Sequence, residues 1–116
     1  MSGNGTGSDT LTLEQFATPP LNAVVVLPEF HFPTVQARSV VPEQMSRKDA
    51  VHNTARMGLL IHALTTGNYA QLKTAMDDRL HQPYRLPLIP GATDAMAAAY
   101  AAGAGGVALS GAGPSL

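Results

Sequence analysis

The succession of elements along the chain (a β-branched run, three or four helices, a second apolar run) predicts a mixed helix-and-strand domain. Two observations carry that expectation. Asn22-Ala-Val-Val-Val-Leu27 is β-branched and stopped by Pro28, and Val107-Ala-Leu109 is a second short apolar run, both patterns of buried strands. The residues between them fall into helical segments closed by glycine. Hydrophobic residues make up 45% of the 116, enough for a core. Much of that share is alanine, with no tryptophan, so the core is expected to be thin.

The elements follow in order. Met1 to Asp9 reads as a flexible polar tail without the basic and apolar regions of a signal peptide. Residues 1–20 are taken as tail and linker, and residues 21–116 as the domain. Leu11 to Phe16 is expected as a short edge strand, broken by Thr18-Pro-Pro20. Pro33 to Val41 predicts a short helix or turn ending before Pro42. Ser46 can cap a long helix running to Thr66, with Asp49 at the favourable end of the dipole and Gly67 as the stop. Its inward face is expected to hold Ala50, Thr54, Met57, Gly58, Ile61 and Leu64. Asn68 would cap a second helix from Tyr69 to about Leu80, with Leu72, Ala75 and Met76 inside and Lys73, Asp77 and Asp78 outside. Its short joint to the first predicts a hairpin. His81 to Gly91 reads as a stiff, proline-punctuated connection. Thr93 would cap a last helix through Ala102, closed by Gly103.

Composition excludes several classes of function. The formal net charge is −1 and no basic run occurs, so the chain is not expected to bind nucleic acid. No apolar stretch approaches the roughly 20 residues of a membrane helix, and membrane association is not expected. The absence of cysteine excludes disulfides and thiolate metal sites and suits a cytoplasmic protein. His31, His52, His62 and His81 have no metal-ligand spacing, so no metal site is expected.

Three features could carry chemistry. Arg38 stands one helical turn after Thr34, on the same face, and a guanidinium fork matches carboxylates and phosphates. The alternative is a solvated surface arginine. Arg85 sits in the proline-rich connection, where a stiff backbone lowers the entropy lost on binding, although it could also simply pack its stem over the surface. Ser110-Gly-Ala-Gly-Pro114 is a loop of small residues that admits close backbone approach. It can be an anion nest or an ordinary turn, and it is not a P-loop, since no Gly-Lys-Ser/Thr follows. Asp77 and Asp78 read as solvated charges.

Taken together, Pro33-Thr-Val-Gln-Ala-Arg-Ser-Val-Val-Pro42, Ser46-Arg-Lys-Asp-Ala-Val-His-Asn53, Asp77-Asp-Arg-Leu-His-Gln-Pro-Tyr-Arg-Leu-Pro-Leu-Ile-Pro-Gly91 and Gly106-Val-Ala-Leu-Ser-Gly-Ala-Gly-Pro-Ser115 resemble the C-terminal half of the homoserine kinase family, within the GHMP small-molecule kinase superfamily. The resemblance runs from about Leu21 to Leu116. It implies an α+β, ferredoxin-like fold with helices packed on an antiparallel sheet, truncated at both ends. It also implies ATP-dependent phosphorylation of the L-homoserine hydroxyl in threonine biosynthesis, with ATP and Mg as cofactors. By the same resemblance Thr34, Arg38, Arg85 and Gly111 bind the substrate, Arg38 also acts on the charge that develops during transfer, and Ser110, Gly111, Ala112 and Gly113 brace the phosphate loop. The chain departs from the family in lacking its glycine- and serine-rich nucleotide loop, so the isolated chain is expected to be inactive. An open sheet edge is expected to favour marginal stability, aggregation or pairing as a homodimer. Other GHMP kinases, acting on mevalonate, a sugar or a diphosphocytidyl substrate, share the terminal loop. A non-catalytic amino-acid-binding remnant is a third reading.

Overall fold

A computed structural model describes residues 10–17 and 19–116. The expected elements are partly met within them; the polar tail expected over residues 1–9 lies outside the described residues. Five α-helices follow in order: α1 (Thr34–Ser39), α2 (Arg47–Thr66), α3 (Leu72–Ala75), α4 (Gln82–Arg85) and α5 (Ala92–Ala101). A single 3₁₀ turn, Tyr69–Gln71, leads into α3, and a second, Leu86–Leu88, follows α4.

The start of α2 follows from its first residues. Ser46 Oγ accepts the Asp49 backbone N–H at 3.1 Å, and Asp49 lies in the first turn, where the dipole favours a carboxylate. Gly67 ends the helix in the left-handed region, φ 75°. The chain then reverses, and the 3₁₀ turn and α3 pack against α2 as a hairpin. Leu72 and Ala75 are buried there and Met76 is half-buried. This second arm is shorter than the predicted 69–80 helix, because it ends at Met76. Asn68 makes no capping side-chain bond. α5 begins after Gly91 rather than at Thr93, which lies inside the helix. It ends in a Schellman arrangement, with Gly103 N–H on Tyr100 O and Ala104 N–H on Ala99 O, both at 3.0 Å.

The expected antiparallel sheet does not form, since no strand occurs among the described residues. Leu11–Phe16 is exposed and forms no strand. Asn22–Leu27 is exposed rather than buried, with Val24 at 84% and Leu27 at 75%. A β-branched run becomes a strand only when a neighbour takes its backbone groups. Here one pair does so: Val26 and Leu116 exchange both backbone hydrogen bonds, at 3.0 and 3.1 Å. Val107–Leu109 is half-buried and irregular. Its N–H groups go to side chains instead, Val107 to Tyr100 Oη at 3.1 Å and Leu109 to Gln82 Oε1 at 2.7 Å.

The core is thin, as the composition implies. Phe32, Ala37, Ile89 and Ala92 form its centre, with Phe30, Leu86, Leu109 and Ala112 packed around them. Four of the seven buried apolar residues are alanine, which bury little area each.

The inward face of α2 is also different from the predicted one. Met57 is 59% exposed and Ile61 39%, and Ala50, Thr54 and Gly58 are exposed too. The buried residues are His52 and Ala63, flanked by half-buried Asp49, Asn53, Arg56 and Leu60. The helix is rotated because its first half docks through polar groups onto residues 77–82. That docking also folds the supposedly irregular 81–91 connection into α4 and a 3₁₀ turn.

Candidate functional site

The candidate site is built where α1, α4 and the Ser110–Gly113 turn meet. Arg38 stands in the last turn of α1 and is exposed. Arg85 closes α4 and is buried to 9% exposure. Its Nε–H donates to Ala37 O at 2.8 Å, which joins α4 to the residue just before Arg38. A buried guanidinium needs such a partner, since leaving its donors unmet costs several kcal/mol, of the order of 1–3 or more.

The terminal loop is a tight turn. Gly113 N–H donates to Ser110 O at 3.0 Å, and Ser110 N–H donates to Ser115 O at 2.8 Å. Gly111 sits in it at φ 58°, a conformation that a side chain would strain. The Gly113–Pro114 peptide is cis. A cleft of about 480 Å³ opens between these elements. Arg38, Arg85, Gly111 and Ala112 all line it, so α1, α4 and the glycine turn share one cleft. Thr34, Ser110 and Gly113 do not line it. Thr34 and Ser110 are exposed, and Gly113 backs the turn against Ile89 and Leu109.

Asp78 and Gln82 also line the cleft, and the sequence reading assigned neither to the site. Asp78 is not the solvated charge expected of it. Its Oδ1 accepts Asn53 Nδ2–H at 2.7 Å and Leu80 N–H at 2.8 Å. Its Oδ2 accepts the N–H groups of His81 at 3.1 Å and Gln82 at 2.7 Å. Burial pushes its carboxyl up, but the Asn53 bond, the backbone bonds from Gln82 and Leu80, and nearby His81 together hold it below 3.8. Asn53 turns its own Oδ1 to the Arg79 N–H at 2.9 Å. Asp77 is exposed as expected, yet its Oδ2 lies 2.9 Å from His52 Nε2. An acidic residue four positions before the Gln82-Pro83 helix start was the available signal.

Residues 60–116, just under half of the chain, match the family described as GHMP kinases C terminal. Curated proteins and a solved structure to which the chain is similar are named homoserine kinase. The chain is 54% identical to the homoserine kinase of Microchaete diplosiphon over 93 residues, covering 80% of this chain and 30% of that protein. It is 46% identical to that of Gloeobacter violaceus over 110 residues, covering 95% of this chain and 37% of the relative. Among solved structures it is similar to the homoserine kinase of Cytophaga hutchinsonii, with a TM-score of 0.75 and 34% identity over 78% of this chain and 29% of that one. The chain thus spans about a third of the length of the relatives it matches. No helix among the described residues is long and apolar enough to cross a membrane.

Proposed function

We propose that this chain provides the acceptor-binding part of a homoserine kinase, an enzyme that transfers the γ-phosphoryl group of ATP to the side-chain hydroxyl of L-homoserine in threonine biosynthesis. The convergence of Arg38, Arg85 and Gly111 on one cleft carries this reading. In it, the two guanidiniums hold the amino-acid carboxylate and orient the hydroxyl, and Arg38, the more exposed of the two, also faces the charge that develops on the transferring group. Thr34, one turn before Arg38 on α1, lies outside the cleft lining and would meet the acceptor only at its margin. Ser110, Gly111, Ala112 and Gly113 form the turn beside the acceptor. The hydroxyl oxygen bonds to the γ-phosphorus as the bond to ADP breaks, and the hydroxyl proton passes to solvent. Positioning and electrostatics supply most of the catalysis in such a transfer, and no side chain here is assigned as a base.

ATP and magnesium belong to the reaction in this reading. Among the described residues no group of three or more His, Asp or Glu side chains gathers to hold a metal ion. Among the described residues no glycine- and serine-rich loop leads into a helix, and in this reading the chain taken by itself is inactive. The protein is read as cytoplasmic.

A chimera tests the proposal: residues 21–116 replace the matching segment of the Microchaete diplosiphon homoserine kinase. The expected result is ATP consumption that depends on L-homoserine, with kcat/KM falling about a hundredfold in R38A and R85A. A chimera that prefers an acceptor without an amino-acid head group, or that is indifferent to both substitutions, overturns it.

A further inference from the structure

We propose that Asp78 and Asn53 form a clamp that positions Arg85, so that Asp78 is a positioning residue of the cleft without itself holding the ligand. The path is continuous. Asn53 stands on α2 and grips the chain twice, through Asp78 Oδ1 and the Arg79 N–H. Asp78 then binds the N–H groups of Leu80, His81 and Gln82, the residues that lead into and open α4. These are donors that a helix leaves without internal partners, and a carboxylate satisfies them strongly. Arg85 closes the same single-turn helix. Its Nε–H reaches Ala37 O, and Arg38 follows. The direction in which α4 leaves the clamp therefore sets where the Arg85 guanidinium lies and how it meets α1.

The neighbouring ties hold the same corner. His52 Nε2 is 2.9 Å from Asp77 Oδ2, and Arg79 Nη1 is 3.7 Å from Asp49 Oδ1. With four donors already on its two oxygens, Asp78 has little capacity left for a ligand, although it lines the cleft. Its effect passes through the backbone to Arg85. The consequence for substrate rests on the homoserine reading; the consequence for Arg85 geometry does not.

The test follows the Arg85 Nε–H proton by NMR in the ¹⁵N-labelled chain, with R85K identifying its signal by deletion. In the unaltered chain this proton, donated to Ala37 O, is expected to exchange slowly with solvent. D78N keeps the shape but leaves one oxygen as acceptor, and N53A removes one donor and the Arg79 acceptor. Exchange of the Arg85 proton is expected to accelerate about tenfold in D78N and about threefold in N53A, while amides in the middle of α2 keep their protection. Unchanged exchange in a folded D78N, or in N53A should D78N not fold, overturns the proposal. In the chimera, D78N is expected to raise the KM for L-homoserine about tenfold with a smaller change in kcat, a split that simple loss of stability would not produce. An inactive parent chimera counts against the homoserine reading alone, because the proton-exchange result stands by itself.

Discussion

The corner where α2 meets residues 77–85 and the valine run at 22–27 have opposite histories. The valine run has the strongest β preference in the chain, yet it lies exposed and forms no strand. The corner is built from Asp49, His52, Asn53, Asp77, Asp78 and Arg79, of which the sequence offered Asp77 and Asp78 only as solvated charges, yet it fixes the position of α4. The difference lies in where the partners are. The polar groups of the corner meet donors and acceptors about 25 residues away in the chain, in fixed geometry. A strand needs a ladder of backbone partners, and among the described residues Val26 alone in the run has one, in Leu116.

That contrast can be broken most forcefully at Asp78. D78A leaves three backbone N–H groups and Asn53 without an acceptor and is expected to cost about 3 kcal/mol, measured by urea unfolding. Gly106 offers the next largest effect. A Cβ there would overlap the Met76 sulfur and press on Leu72, which backs the corner, so G106A is expected to lower stability by about 2 kcal/mol.

Acid sharpens the comparison further. The folded Asp78 carboxyl lies below its ordinary 3.8, so its stabilisation is fully present above pH 3.8 and is lost as pH falls through the lower folded value. The urea midpoint of the unaltered chain is expected to fall on acidification through that range, and D78N to flatten part of the fall. The valine run should respond least. V24T and V25T alter exposed side chains, and their effect on thermal unfolding is expected to stay within about 0.5 kcal/mol.

What could be read from the sequence divides along the same line. Local signals were sufficient where the physics is local. Ser46 with Asp49 announced the start of α2, Gly67 its end, and Gly103 the close of α5. The Arg38, Arg85 and Gly111 blocks also proved to share a cleft. The inward face of α2 was not legible, because apolar periodicity placed Met57 and Ile61 inside, whereas hydrogen bonding turned His52 and Asn53 there. Asp78 was passed over for the same reason. A carboxylate next to another on a short helix looks solvated until Asn53, distant in sequence, is brought beside it. The strands were misjudged because propensity describes what a segment prefers when paired, not whether a pair exists.

The Arg85 contact with Ala37 has a consequence for the shape of whatever enters the cleft. With its side edge turned to a backbone carbonyl, the guanidinium can offer a ligand only its end-on edge, two parallel N–H bonds pointing forward from the terminal nitrogens. That edge suits a planar pair of oxygens and aligns it in one plane. Lysine at this position could serve the carbonyl or the ligand, but a single ammonium group has no second edge with which to do both at once.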